Sequence, residues 1–324
     1  MGGAERARQL VKALEPKRRN FLVKFFNNEA YDTTNGGWGN RMQFIDGPTP
    51  DYAFETARLG DKQMATRVRQ QLNGMLRMLD PETDTLSTIA QRDWSGPLAA
   101  YPMFAQESGL RGFSLGYAMF GDQRYAGAAA RIVAFMRDTM SAPDGGIYAS
   151  MGGASFNPGV DKRRYSRENG KAIAGLVAYF DATQDRTVLD LASRHARWVL
   201  QNRRLRNRGF GHDANDTGGP FLADSLEMAR ALLHLHRSTG DRQWLSEART
   251  TADFMVKHLV DPATGGFLAA ANPAGKFMHQ AIKQKDDNVL TTRFFNDLCG
   301  YTGDKRYREV AEAGMDYLAS DAVL

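Results

Sequence analysis

The side chains of this chain that could do chemistry are carboxylates and imidazoles set among aromatic rings. Glu168 and Asp224 each open an apolar stretch, and Asp161 and His212 lie in polar segments shortly before them. Two carboxylates facing one bond can act as general acid and base in glycoside chemistry, and an imidazole can assist as a proton carrier. Trp38, Arg92, Trp94, Tyr101, Gln106, Glu107, Asn169 and Asn288 add rings and hydrogen-bonding groups to the same kind of segment. Rings stack on sugar C–H faces while amides, carboxylates and guanidinium groups pair hydroxyls. The expected assignment is therefore catalytic for Asp224, Glu168, Asp161 and His212, and substrate-binding for the other eight. The expected ligand is a small molecule or oligosaccharide. A plainer role competes with this one, because a carboxylate in the first turn of a helix also caps free N–H groups and complements the helix dipole.

Other chemistries find no support. Cys299 is the single cysteine, so no intrachain disulfide and no cysteine-based zinc site can form. His234 and His236 are two apart, on different helix faces, and cannot ligate a metal as an i,i+4 pair. His279 resembles His212 in setting but is a weaker candidate. No P-loop or dinucleotide spacing and no Gly-x-Ser-x-Gly elbow occurs, so neither a cofactor nor a metal is expected. The net charge of +5 is spread along the chain apart from the run Arg203 to Arg208, and no nucleic-acid motif accompanies that run. No stretch has the length and apolarity of a membrane span. No apolar segment follows Arg6, Arg8 and Lys12, which reads as a cytoplasmic protein. The oligomeric state is left open.

The elements that must position these residues repeat. Turns at Gly60-Asp61, Gly121-Asp122, Gln184-Asp185, Gly240-Asp241 and Gly303-Asp304 recur through the 324 residues. Four of them open one pattern: Tyr125, Val188, Trp244 and Tyr307, then Ala129, Ala192, Ala248 and Ala311, then Phe135, Trp198, Phe254 and Tyr317. Met64 and Val68 form a weaker copy. A period of this size specifies a repeated supersecondary unit. Segments after each turn are amphipathic, whereas those before it, such as Leu222 to Leu235, are apolar almost all round. One-sided helices alternating with enclosed ones predict an outer ring around an inner ring. Inner helices are expected near 50–59, 100–119, 166–182, 221–238 and 287–301, and outer ones near 62–79, 123–140, 186–202, 242–259 and 305–319. The segment 4–30, broken near Pro16, would supply the rest. The expected fold is one all-α domain over residues 1–324, an (α/α)6 toroid.

Connections inside each pair are short, and those between pairs are long, so the long ones should share one end of the ring. Loops on a rigid scaffold are where binding and catalysis concentrate. Gly36-Gly37-Trp38, Asp144-Gly145-Gly146-Ile147 and Gly265-Gly266-Phe267 mark three of these loops, with Gly209-Phe210 a looser copy. The glycines read as structural.

In their Gly-Asp repeats and Gly-Gly-aromatic loops, these residues resemble the six-hairpin part of the spermatogenesis-associated, thioredoxin-domain-containing protein family. Asp161-Lys162 with Asn169-Gly170 is similar to a family segment that carries Trp where Glu168 stands. Leu222 to Leu233 is similar to its Leu-Glu-Asp-Tyr-Ala helix, centred on Asp224, with Ala223 in place of the acid. Asn288 matches a Gly-Asn-Ser segment, and Tyr101-Pro102-Met103-Phe104 stands where the family has Pro-His-Phe-Glu-Lys-Met. Met103 and Ala105 replace that segment's His and Glu. The resemblance implies a six-hairpin, glycosidase-like toroid related to sugar 2-epimerases and unsaturated-glucuronyl hydrolases. Two functions are consistent with it: a glycoside hydrolase-like or epimerase-like enzyme, or a non-catalytic binding or scaffold relative.

Overall fold

A computed structural model describes residues 30–39, 41–45, 48–152, 159–215, 219–271, 282–320 and 323. His279 and residues 4–29 of the segment expected at 4–30 lie outside the described residues. Ten α-helices are described: α1 (Pro48–Arg58), α2 (Lys62–Met75), α3 (Met103–Phe120), α4 (Gln123–Asp138), α5 (Ser166–Thr183), α6 (Arg186–Asn202), α7 (Leu222–Thr239), α8 (Arg242–Leu259), α9 (Lys285–Thr302) and α10 (Lys305–Leu318). The chain divides into two compact units. One contains Tyr165–Gly170 and Val199–Leu324; the other contains the described residues up to Arg164 together with Lys171–Trp198.

The Gly-Asp repeat is a helix stop joined to a helix start. Gly60, Gly121, Gln184, Gly240 and Gly303 all take positive φ. This left-handed residue ends one helix, and Gln184 bears the strain that glycine avoids. The aspartate that follows then caps the next helix. Asp61 accepts from the Met64 N–H, Asp122 from Arg124, Asp185 from Thr187, Asp241 from Gln243 and Asp304 from Arg306. Helices α1 and α2, α3 and α4, α7 and α8, and α9 and α10 pack as antiparallel pairs. Burial separates the two helix types. In α8 the buried residues Trp244, Ala248, Thr251, Ala252, Phe254, Met255 and Leu259 form a single stripe, while α7 buries residues at nearly every turn position from Leu222 to Leu235.

Each long connection closes on itself before it meets its helix. Isolated bridges join Leu79 to Leu86, Ser141 to Ile147, Arg204 to Phe210 and Val260 to Phe267. The glycines let these loops lie flat on an aromatic ring. A Cβ on Gly146 would stand 2.6 Å from the ring of Trp198, and one on Gly266 would stand 2.5 Å from Tyr317. In these repeats the last aromatic is thus the floor of the long loop that precedes its helix pair. Two small sheets were not expected from the sequence. Strand β1 (Met42–Phe44) pairs antiparallel with β2 (Ile89–Gln91). Strands β3 (Ala100–Pro102), β4 (Ser150–Gly152) and β5 (Gly159–Asp161) form an antiparallel sheet. Tyr101 therefore lies within a strand, and the helix expected from residue 100 begins at Met103.

A buried polar side chain at the fourth position of the helix pins the loop that precedes it. Gln106 accepts from the Leu86 N–H at 2.9 Å and donates to the Leu86 carbonyl at 2.7 Å. Asn288 does the same for Phe267, at 2.6 and 3.0 Å. Ser225 Oγ accepts from the Phe210 N–H at 3.2 Å. The backbone of the loop cannot reach water at these points, so the side chain replaces it. Asn288→Ala is expected to lower stability by about 2–4 kcal/mol in a denaturant titration, since it leaves a buried N–H and carbonyl unmet.

His195 is fully buried, with Nε2 at 3.2 Å from Ser141 Oγ. Burial pulls its pKa from 6.5 down to about 4. As pH falls below about 6.5, the unfolded chain takes up a proton that the folded chain refuses until about pH 4. The stability is complete above the unfolded value and is lost on acidification. A His195→Gln variant should therefore lose less stability between about pH 7 and pH 4.5, by about 2–3 kcal/mol, when urea midpoints are compared.

Candidate active site

The start of α5 and the start of α7 bring Tyr165, Arg167, Glu168, His212, Phe221 and Asp224 together within one unit. Asp224 is the third residue of α7 and only 1% exposed. Its Oδ1 accepts the Arg167 backbone N–H at 2.9 Å, from the first turn of α5. Both of its carboxylate oxygens lie 3.1 Å from His212 Nδ1. His212 keeps 36% of its side chain exposed. Its ring stacks on Tyr165, with centroids 4.2 Å apart and planes at 14°, and meets the ring of Phe221 edge-on at 5.8 Å.

The loop reaches this position because its backbone is held at three successive residues. Ser225 holds the Phe210 N–H. Ser166 Oγ donates to the Gly211 carbonyl at 2.6 Å, and the Ser166 N–H donates to the His212 carbonyl at 3.2 Å. The helices meet closely at this point, for a Cβ on Gly170 would lie 2.5 Å from the Glu227 backbone.

Electrostatics separates the two carboxylates by role. Burial pushes the Asp224 carboxyl up, and the His212 and Arg167 contacts pull it back. Glu168 is also pushed up, chiefly by burial, with Asp224 adding repulsion and Arg167 opposing the shift. Its side chain is 18% exposed, and its buried Oε2 has no hydrogen-bond partner. An orphaned carboxylate oxygen costs free energy unless it carries a proton or meets a ligand. The arrangement is an imidazole oriented by a buried carboxylate, beside a carboxyl group biased towards its neutral form.

The remaining expected residues fall elsewhere. Asn169 is buried and donates to the Tyr165 carbonyl at 2.8 Å, fixing the turn that carries Tyr165. Asn288 and Gln106 are spent on loop backbone and are corrected from substrate-binding to structural. Trp94 is 1% exposed, with its indole N–H on the carbonyls of Asn35 and Gly36, so it presents no face to a sugar. Tyr101 is buried with its hydroxyl on Asp80 at 2.5 Å, and burial with that carboxylate pushes its pKa up to about 12. Glu107 is buried in an ion cluster with Arg111, which also pairs Asp51. Arg92 reaches Asp32 at 2.6 Å, and Trp38 packs edge-on against Tyr31. Asp161 is gripped by Arg163, which holds its carboxyl below the usual range. These last seven belong to the other unit. Phe221 was not anticipated: as a lone aromatic before a helix it carries no signal of its contact with the imidazole of His212. Among the described residues no group of three His, Cys, Asp or Glu side chains could hold a metal ion, and no helix is long and apolar enough to cross a membrane.

A family model for the β-L-arabinofuranosidase, GH127 catalytic domain matches residues 107–320. The chain belongs to this family. No curated protein matches it. Among solved structures, cellobiose 2-epimerase from Bacillus thermoamylovorans superimposes with a TM-score of 0.78 at 11% identity, covering 93% of this chain and 85% of that one. D-mannose isomerase gives 0.76 at 14%, covering 90% and 82%. The GH76 α-mannanase of Bacteroides thetaiotaomicron gives 0.68 at 13%, covering 98% and 84%. The fold class is thus the all-α (α/α)6 toroid of the six-hairpin glycosidase-like proteins, a carbohydrate-active fold. The expected superfamily is the right one. The closer resemblance to the thioredoxin-domain-containing family is corrected, since the matching family model is that of GH127.

Glu168 makes the site costly. Its folded pKa lies above the unfolded one, so its stabilising contribution is full at low pH and fades as pH rises through the folded value. Glu168→Gln should match the native chain near pH 4 and exceed it by about 1 kcal/mol near pH 8, read as a rise in thermal midpoint.

Proposed function

We propose that this GH127-family chain acts on a sugar by general acid–base catalysis at the His212–Asp224–Glu168 cluster, and that the reaction is proton transfer next to a sugar carbonyl. Neutral His212 takes the proton from the carbon beside the carbonyl of an open-chain aldose. Glu168, in its protonated form, donates to the carbonyl oxygen. The imidazolium then returns its proton to carbon while Glu168 takes a hydroxyl proton back: delivery to the opposite face of C2 with loss of the O1 proton gives the epimer, and delivery to C1 with loss of the O2 proton gives the ketose. Asp224 holds the imidazole in one tautomer and stabilises its charged form.

One observation carries this reading: Asp224 is enclosed, with both oxygens on His212. A hydrolase working through two carboxylates needs both to reach the glycosidic bond, and Asp224 does not. An imidazole with a pKa ordinarily near neutrality suits a carbon acid that is deprotonated and reprotonated in each turnover. The likeness to cellobiose 2-epimerase and D-mannose isomerase is consistent with this chemistry.

Membership of the β-L-arabinofuranosidase family favours a second reading, glycoside hydrolysis. There Glu168 would protonate the leaving oxygen, and His212 backed by Asp224 would activate water. The two are separated by incubating the chain in D2O with free aldoses and disaccharides, and in parallel with aryl glycosides. Deuterium at C2, read by NMR and reduced about 100-fold or more in His212→Asn, is the expected result. Aryl-alcohol release without C2 exchange would replace the first reading with the second.

A further inference from the structure

Tyr165 lies flat on the imidazole, and no acid–base step requires it. The backbone that carries its ring is fixed: the Tyr165 carbonyl accepts both the Asn169 N–H at 3.1 Å and the Asn169 side-chain amide at 2.8 Å. Asn169 is itself fully buried. The stack is therefore built on a fixed turn of α5 rather than on a mobile surface side chain.

We propose that Tyr165 is a positioning residue that sets the orientation and the protonation balance of His212. This rests on the proposed role of His212 as the proton carrier. Three contacts define the ring: Asp224 on Nδ1, Phe221 at an edge, and Tyr165 across a face. Removing the face contact leaves the imidazole free to turn about χ2 and to break the alignment of Nδ1 with the carboxylate. The π-face of Tyr165 also favours a cation stacked on it, so it stabilises the imidazolium relative to the neutral ring. The other charged groups facing His212 are Asp224 on α7 and Glu168 and Arg167 on α5. The Asp213–Arg203 pair, at 3.4 Å, lies on its own loop. Asp224 and Glu168 when ionised favour imidazolium, and Arg167 opposes it.

The test is an NMR titration of the full-length chain labelled at histidine, comparing the native protein with Tyr165→Phe and Tyr165→Leu. Tyr165→Phe keeps the face and should titrate like the native chain. Tyr165→Leu should lower the His212 midpoint by about 0.3–1 pH unit. An unchanged midpoint in Tyr165→Leu overturns the proposal. Should that variant not fold, the native chain decides: NOEs between the Tyr165 ring and the His212 ring protons support the stack, and their absence sinks it. The titration needs no turnover. A shifted midpoint in a chain that exchanges no sugar deuterium would leave this proposal standing and remove the epimerase reading. Where turnover is seen, kcat in Tyr165→Leu should fall with its acidic limb displaced by the same amount as the midpoint, while KM changes less than kcat.

Discussion

The site depends on how a long loop, buried against helices, satisfies its own backbone. Phe210 cannot pair its N–H with water, and it takes Ser225 of α7 instead. The two residues that follow give their carbonyls to Ser166 of α5. Those three bonds leave His212 no choice of place. It must emerge beside Asp224, the neighbour of Ser225, and beside Tyr165, the neighbour of Ser166. The geometry of the candidate site is thus a by-product of a structural requirement that recurs wherever Gln106 and Asn288 do the same work for Leu86 and Phe267. The candidate acid–base groups stand one residue earlier on the helix, at the third position, where Glu168 and Asp224 lie and where α3 has Ala105.

Burial then assigns roles to chemically similar groups. Asp224 and Glu168 are both carboxylates in a first turn, and burial raises both. Asp224 recovers part of that cost from an imidazole and a backbone N–H, and is thereby committed to holding His212. Glu168 recovers less and keeps an unmet oxygen. A group left in this state is suited to carry a proton to a ligand, and the molecule tolerates the cost at that position.

Much of this was legible in the residues. The Gly-Asp turns, the alternation of helix types and the Gly-Gly loops are local patterns, set by φ restrictions, capping and amphipathic periodicity. They gave helices close to those observed, and they singled out Glu168, Asp224 and His212, which the structure brings together. Trp94, Tyr101, Gln106 and Asn288 misled, because an indole, a phenol or an amide beside a loop reads the same whether it faces a ligand or the loop's own backbone. The short sheets were also invisible, since strands of three residues carry too little periodicity to register.

What the sequence by itself determined is the repeat and what the repeat entails: which helices are one-sided, where the short turns join them, and which loops are long. These follow from near-neighbour chemistry along the chain. Only the tertiary structure decided which polar residues are spent on backbone and which remain to act. That depends on contacts between residues far apart in the chain, as between Ser166 and Gly211, or Asp224 and His212. A residue's type states what bonds it can make, and only packing states which of them are already made.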